Sequence, residues 1–422
     1  MANTTVAVLD DAAVHRNEPT WPAISRKLED GFGLAVYDNL ASVEAIWREF
    51  ESTGDCTAFQ TFEWLSAWQR QIGAKNGFTP VIVVARDQAG AILFILPFAT
   101  HQSGIARELV WLGSELCDYN APLLAKDFAH RLQPRQFVFV WQNVLQLLRA
   151  SPPLRFDVIH LEKMPETVRS QRNPMLVLKT VLHPSGSYAT PLAQSWETFY
   201  AAKRSSSTRS RDRAKRKRLA EYGKVEFVTA KTTREALDTI EVLAKQKSAY
   251  FARHGISNLF ARPGYFDFLK DFVSSPGAAR LAHISELRVG SQVVAANFAL
   301  TLGGRYYYVL SSYTDGELSR LGPGAVHLQE LLRYAIENLF TIFDFTVGDE
   351  RYKLDWCDGT SALHDYVATV TVVGAAQMWP IVAFKALKRI IKQTPVLWAC
   401  FTRLRRTLAR LRSLGGTGAE AP

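Results

Sequence analysis

From Ala325 to Leu339 the apolar positions are Leu328, Leu331, Leu332, Ala335, Ile336 and Leu339, the spacing that lines one face of a helix. On either side the apolar pattern is that of strands. Residues 281–289, a turn at Gly290-Ser291 and residues 292–301 predict a hairpin. Gly303-Gly304 then turns the chain into 305–312 (RYYYVLSS), and 341–345 (TIFDF) follows the helix. The first half runs in the same order. Residues 80–86 (PVIVVAR), a turn at Gln88-Ala89-Gly90 and residues 91–98 predict a hairpin. A strand at 108–112, a helix at 136–148 and a strand at 156–161 (FDVIHL) complete it. Helices are also expected at 44–50 and 62–71, the latter with Trp64, Leu65 and Trp68 on one face. The repeated order predicts a duplicated α/β domain. Between the copies, 196–222 reads as one helix stopped by Gly223.

Composition narrows the class. With 47% hydrophobic and 21% charged residues over 422 positions, the chain is globular, and fibrous or disordered classes are excluded. It has no run near the roughly 20 apolar residues that span a bilayer, and Met1 to Asp11 has no basic-then-apolar signal pattern. Cys56, Cys117, Cys357 and Cys400 lie far apart without zinc-ligand spacing, and the histidines do not cluster. A cytoplasmic protein without a metal or prosthetic group is expected.

The net charge of +10 is unevenly placed. Nine basic residues and Asp212 alone among acids lie between Lys203 and Arg218, and nine basic residues without an acid lie between Tyr366 and Ala419. The remaining body is mildly acidic, unlike a uniformly basic nucleic-acid binder. Arg209, Arg211, Arg213, Lys215, Arg216, Lys217 and Arg218 surround their helix, so a single salt-bridged face cannot account for them. They form either a wall for an anionic ligand (Arg209 and Arg213 being substrate candidates) or a solvated surface. Beyond Trp379, apolar residues alternate with Lys and Arg, the composition of an amphipathic segment suited to an anionic membrane surface or to packing on the body.

The sharpest chemical signal is Ser319-Arg320-Leu321-Gly322-Pro323-Gly324-Ala325, between a strand and the amphipathic helix. Glycines there let the backbone approach an anion, and the helix N-terminus offers unpaired N–H groups. A pyrophosphate is the natural ligand, and a plain turn is the bland alternative.

This order of hairpin, strand, glycine-rich loop, helix and strand resembles the GNAT acyltransferase superfamily. Gly322 and Gly324 match its phosphate loop, although Ser319 stands where Gln or Arg is usual and the arginine falls one place later, at Arg320. Phe59-Gln60-Thr61-Phe62-Glu63-Trp64, Trp111-Leu112-Gly113 with Asp118-Tyr119, Arg218 to Gly223, Gly322-Pro323-Gly324 and 343–356 (FDFTVGDERYKLDW) are similar to the CelD-like acetyltransferase family. Tyr352-Lys353-Leu354-Asp355-Trp356 also resembles the aromatic-Lys motif of Fem-type aminoacyl transferases.

The resemblance implies two tandem GNAT-like domains with a basic helix between them: a leader at 1–30, a degenerate domain at 31–185, an acyltransferase domain at 186–370 (basic helix about 203–222), and a basic amphipathic helical segment at 371–422. It implies acyl-CoA, acetyl-CoA foremost, as co-substrate, held by Ser311, Ser312, Arg320, Leu321, Gly322, Gly324 and Ala325. Lys353 would face the developing oxyanion. Asp349 or Glu350 would take the acceptor's proton, and Tyr352 is either a proton donor or a packing residue. Asp118 and Tyr119 would help build the acceptor cleft or form a turn. The implied reaction is acyl transfer to a saccharide or amine in envelope or exopolysaccharide synthesis. Long-chain acyl transfer to a lipid amine at the inner membrane face, and transfer from aminoacyl-tRNA, are its rivals. A nucleic-acid-binding module ranks last because it leaves the glycine loop unexplained.

Overall fold

A computed structural model describes residues 24–28 and 31–380. The first half builds β1 (Ile24–Lys27), β2 (Gly33–Tyr37), α1 (Glu44–Thr53), α2 (Phe62–Trp68), β3 (Thr79–Arg86), β4 (Ile92–Ser103), β5 (Ala106–Trp111), α3 (Pro134–Ala150) and β6 (Val158–Pro165). The second builds β7 (Ser187–Pro191), α4 (Trp196–Lys203), α5 (Ser206–Ala220), β8 (Val225–Thr229), α6 (Thr233–His254), α7 (Tyr265–Ser274), β9 (Ala282–Val289), β10 (Gln292–Leu302), β11 (Arg305–Tyr313), α8 (Pro323–Glu337), β12 (Ile342–Val347) and β13 (Leu363–Thr369). Apart from two-residue strands, the first sheet runs β1-β2-β3-β4-β5-β6-β13 and the second β7-β12-β11-β10-β9-β8.

Each sheet contains one parallel pair, β5 with β6 and β11 with β12, and antiparallel pairs elsewhere. A parallel neighbour needs a crossover, and the helices α3 and α8 supply it. The apolar stripe foreseen from Leu328 to Ile336 is the buried face of α8. The matching architecture of the two halves is the duplication that the sequence order predicts.

One outer strand crosses between the halves. β7 opens the second half and pairs with β12 of its own sheet, whereas β13, at the end of the second half, pairs with β6 in the first. Both junctions carry a bulge, between Tyr188 and Ala189 and between His364 and Tyr366. Opposite them sit Thr346 at φ +59° and Lys163 at φ +57°, left-handed backbone that a side chain disfavours. Apolar packing joins the halves as well. The Trp64 ring lies 4.6 Å from Phe268 and 5.1 Å from Phe272, and Phe59 lies 5.7 Å from Tyr307.

Two local expectations change. The span 196–222 is two helices, because Arg204 is extended and the Ser205 hydroxyl accepts the Thr208 N–H at 3.2 Å, starting α5 afresh. Ser205→Ala should cost about 1 kcal/mol, read as a lower midpoint in urea unfolding. The helix at 62–71 ends at Trp68 and widens into a π turn over Gln69–Gly73. Of the leader, Ile24–Lys27 form β1; of the C-terminal segment, residues 372–380 are helical. Gln377 ties that helix to β5, accepting the Ile105 and Ala106 N–H groups at 3.0 Å and donating to Glu108 at 2.8 Å. The rest of the leader and of the C-terminal segment, with Cys400, lies outside the described residues.

Candidate functional site

β11 and β12 stay paired only from Arg305↔Ile342 to Tyr307↔Asp344 and then diverge. The opening is a cleft of about 430 Å³. Tyr308, Ser311, Ser312 and Tyr313 of β11 form one wall, Gly322 to Ala325 another, and Tyr352, Asp355 and Trp356 a third. Register decides what β11 offers it. The Thr314 N–H bonds Val294 O at 2.8 Å, and Ser312 and Leu310 follow at intervals of two against Ala296 and Phe298. Their peptide groups therefore face β10, while the N–H and C=O of Ser311 face the opening toward β12.

Gly322 caps α8 at φ +72°, and Pro323 takes the first helical position, where a missing N–H costs nothing. A Cβ on Gly324 would lie 3.2 Å from the Tyr313 ring, so glycine keeps the helix mouth open. Over this mouth lies α5. A Cβ on Gly322 would lie 3.4 Å from Lys215 Cδ. Lys215 and Arg204 both line the cleft and both are steered by Asp212, which is buried, accepts the Tyr200 hydroxyl at 2.9 Å and lies 3.4 Å from Arg204 and 3.6 Å from Lys215. Arg204 also stacks over Trp356 at 4.9 Å. Two cations and a helix N-terminus thus converge on one opening, with Asp355 of the same cleft 3.1 Å from Arg204. His327 forms part of the wall, but burial drives its pKa to about 3 and it hydrogen-bonds Ser285, so it is neutral at physiological pH.

Of the residues singled out in the sequence, Ser311, Ser312, Gly322, Gly324, Ala325 and Tyr352 line the cleft. Arg320 faces a separate surface depression beside Arg253 and Glu317, and Leu321 packs with Leu219 and Val326. Lys353 is buried beneath the end of β12, 3.0 Å from Val347 O and 2.9 Å from the exposed Glu350. Asp349 is exposed and lies 3.4 Å from the Gly186 N–H and the Tyr188 hydroxyl. Tyr119 donates to Asp344 at 2.7 Å, and Asp118 adjoins Thr346, its carboxyl pushed up by burial and opposed by Lys163. Both come from the first half and rest on β12. Arg209 holds Arg204 O at 3.2 Å and Arg213 is exposed; neither lines the cleft.

Sequence reasoning passed over Arg204 and Lys215 as individuals; the signal was Asp212, the lone acid among nine cations. It also missed Lys247 of α6, whose ammonium lies 3.1 Å from Ser311 O.

Comparison with known proteins bears on the fold and on the second half of the chain. Residues 206–354 match the family model described as "Acetyltransferase (GNAT) domain". No curated protein matches the chain. Among solved structures, FemX superposes with a TM-score of 0.52 at 10% identity, covering 80% of this chain and 98% of its own. The C-terminal domain of a putative lysylphosphatidylglycerol synthetase from Agrobacterium fabrum gives 0.49 at 10% identity, covering 82% and 97%. A Bacteroides thetaiotaomicron protein of unknown function gives 0.48 at 10%, covering 80% and 99%. The chain is thus an α/β protein of two similar halves, of which residues 206–354 match an acetyltransferase (GNAT) domain.

Proposed function

We propose that the cleft binds acyl-CoA and that the acyl group passes to an amine or hydroxyl of a cell-envelope or exopolysaccharide precursor. The observation that carries this reading is the splayed β11–β12 edge opening onto the Gly322-Pro323-Gly324 helix start beneath Lys215 and Arg204. The pyrophosphate would sit at that start, and the outward Ser311 N–H would hold the thioester carbonyl as its oxygen gains charge. The saccharide acceptor follows from the resemblance to CelD-like acetyltransferases and is the acceptor class to screen first. No helix among the described residues is long and apolar enough to cross a membrane. Contact at the inner membrane face therefore rests on the basic, apolar composition beyond Trp379.

A second reading has aminoacyl-tRNA as donor. Arg211, Arg213, Lys217 and Arg218 are exposed on α5, available to a long polyanion. Calorimetric titration with acetyl-CoA, palmitoyl-CoA and aminoacyl-tRNA separates the donors. Micromolar acetyl-CoA binding is expected; tight palmitoyl-CoA binding alone would point to a lipid amine acceptor, and binding of charged tRNA alone would overturn the proposal. Lys215→Glu should weaken acetyl-CoA binding about 10-fold or more at low salt, with the gap narrowing as salt rises.

A further inference from the structure

We infer that Lys247 is the catalytic base, standing on the acceptor side of β11 one peptide group from the thioester. The inference rests on the acyl-CoA reading above and adds to it a residue that neither the glycine loop nor the aromatic-Lys motif signals. Its basis is register and distance. The Ser311 peptide faces the gap where β12 has left β11, and Lys247 Nζ sits 3.1 Å from the carbonyl oxygen of that peptide. The next residue along, Ser312, is fixed to the same helix through its hydroxyl, which donates to Gln246 at 2.8 Å. The Gln246-Lys247 pair therefore clamps α6 to the two residues of β11 nearest the transfer point. Lys247 is not among the residues that line the cleft; it reaches the Ser311 carbonyl from α6.

Its surroundings fit a proton acceptor. The Tyr250 and Phe251 rings of its own helix lie 5.8 and 5.6 Å from Nζ. Glu350 and Lys353, from the turn after β12, are the charged groups that act on it, with opposite signs. Burial, with Lys353 acting in the same direction, outweighs Glu350 and lowers its pKa from the ordinary lysine value, so the neutral amine is more accessible than in solution. Glu350, the other nearby candidate, is exposed and lies 2.9 Å from Lys353.

The chemistry closes. The acceptor nitrogen attacks the thioester carbon, and its proton moves to Lys247 Nζ as the tetrahedral oxyanion forms. The carbon–sulfur bond then breaks, the oxyanion collapses to the amide, and Lys247 returns the proton to the departing thiolate. One acyl group and one proton have exchanged places, and Lys247 is neutral again.

Two measurements test this in the full chain. The first follows the Lys247 side-chain signal by NMR in lysine-labelled protein, assigned through Lys247→Arg. The expected signal titrates below the ordinary lysine range and shifts on addition of acetyl-CoA. Titration at the ordinary value without a response to acetyl-CoA would overturn the inference. The second is thiol release from acetyl-CoA with glucosamine, or with water alone, as acceptor. Lys247→Met should lower the rate about 100-fold or more and remove the acid-side fall in the wild-type pH profile, because the base must be unprotonated to act. Acetyl-CoA affinity should stay within about threefold, well under a 1 kcal/mol change. Lys247→Arg keeps a donor for Ser311 O but cannot lose its proton at these pH values. Recovery of activity in Lys247→Arg would reduce Lys247 to a structural clamp and overturn the inference. Absence of acetyl-CoA binding to the wild type would instead defeat the acyl-CoA reading itself.

Discussion

Gly324→Trp should abolish measurable acyl-CoA binding, a loss of about 100-fold or more, equivalent to roughly 2.7 kcal/mol. The position is the second residue of α8, and even a methyl group there would press on the Tyr313 ring at 3.2 Å. An indole must turn into the 430 Å³ cleft, where it displaces the ligand and covers the helix N-terminus. Its backbone has no positive φ, so the fold should survive and the loss should be confined to the site. Near-unchanged thermal unfolding alongside lost binding, both measured on one preparation, is the expected pair of results. Retained binding would move the donor site elsewhere.

The second large effect concerns Asp344, which is fully buried at the end of the paired stretch of β12. It accepts from Tyr119 of the first half at 2.7 Å, from Arg305 at 2.6 Å and from the strained Thr346 N–H at 2.8 Å. Removing the carboxylate leaves a half-buried guanidinium, a buried phenol and a buried N–H without their partner. Loss of one member of such a cluster costs on the order of 3–5 kcal/mol. Asp344→Ala should therefore lower the urea midpoint markedly, whereas Asp344→Asn, which keeps an acceptor oxygen, should recover part of the loss. An Asp344→Ala protein as stable as the wild type would show that this cluster adds nothing to the hold between the halves.

The same residues show where the sequence could be read and where it could not. The two hairpins, the crossover helices and the strand after each crossover follow from local periodicity, and they lie within a few residues of the expected spans. Gly322-Pro323-Gly324 was legible as the start of α8, because proline suits the first helical position and glycine the turn before it. The crossing of β13 was not legible, since it is short and its partner β6 lies in the opposite half of the chain. Nor was the break at Ser205, where a hydroxyl cap overrides a continuous run of helix-compatible residues. The placement of Arg204, Lys215 and Lys247 around β11 and the start of α8 depends on how the chain packs across the sheet, a tertiary fact without a local signal. Lys353 shows the converse. Its motif drew attention, yet its ammonium is taken up by the carbonyl end of β12 and by Glu350.

The central claim is that the donor sits between β11, the start of α8 and α5. Hydrogen–deuterium exchange of the full chain, with and without saturating acetyl-CoA, tests it most directly. The account predicts slowed exchange at 308–313, at 322–328 and around Lys215, with the corresponding first-half strands β5 and β6 unchanged. Protection confined to the first half, or no protection anywhere at saturating ligand, would contradict it.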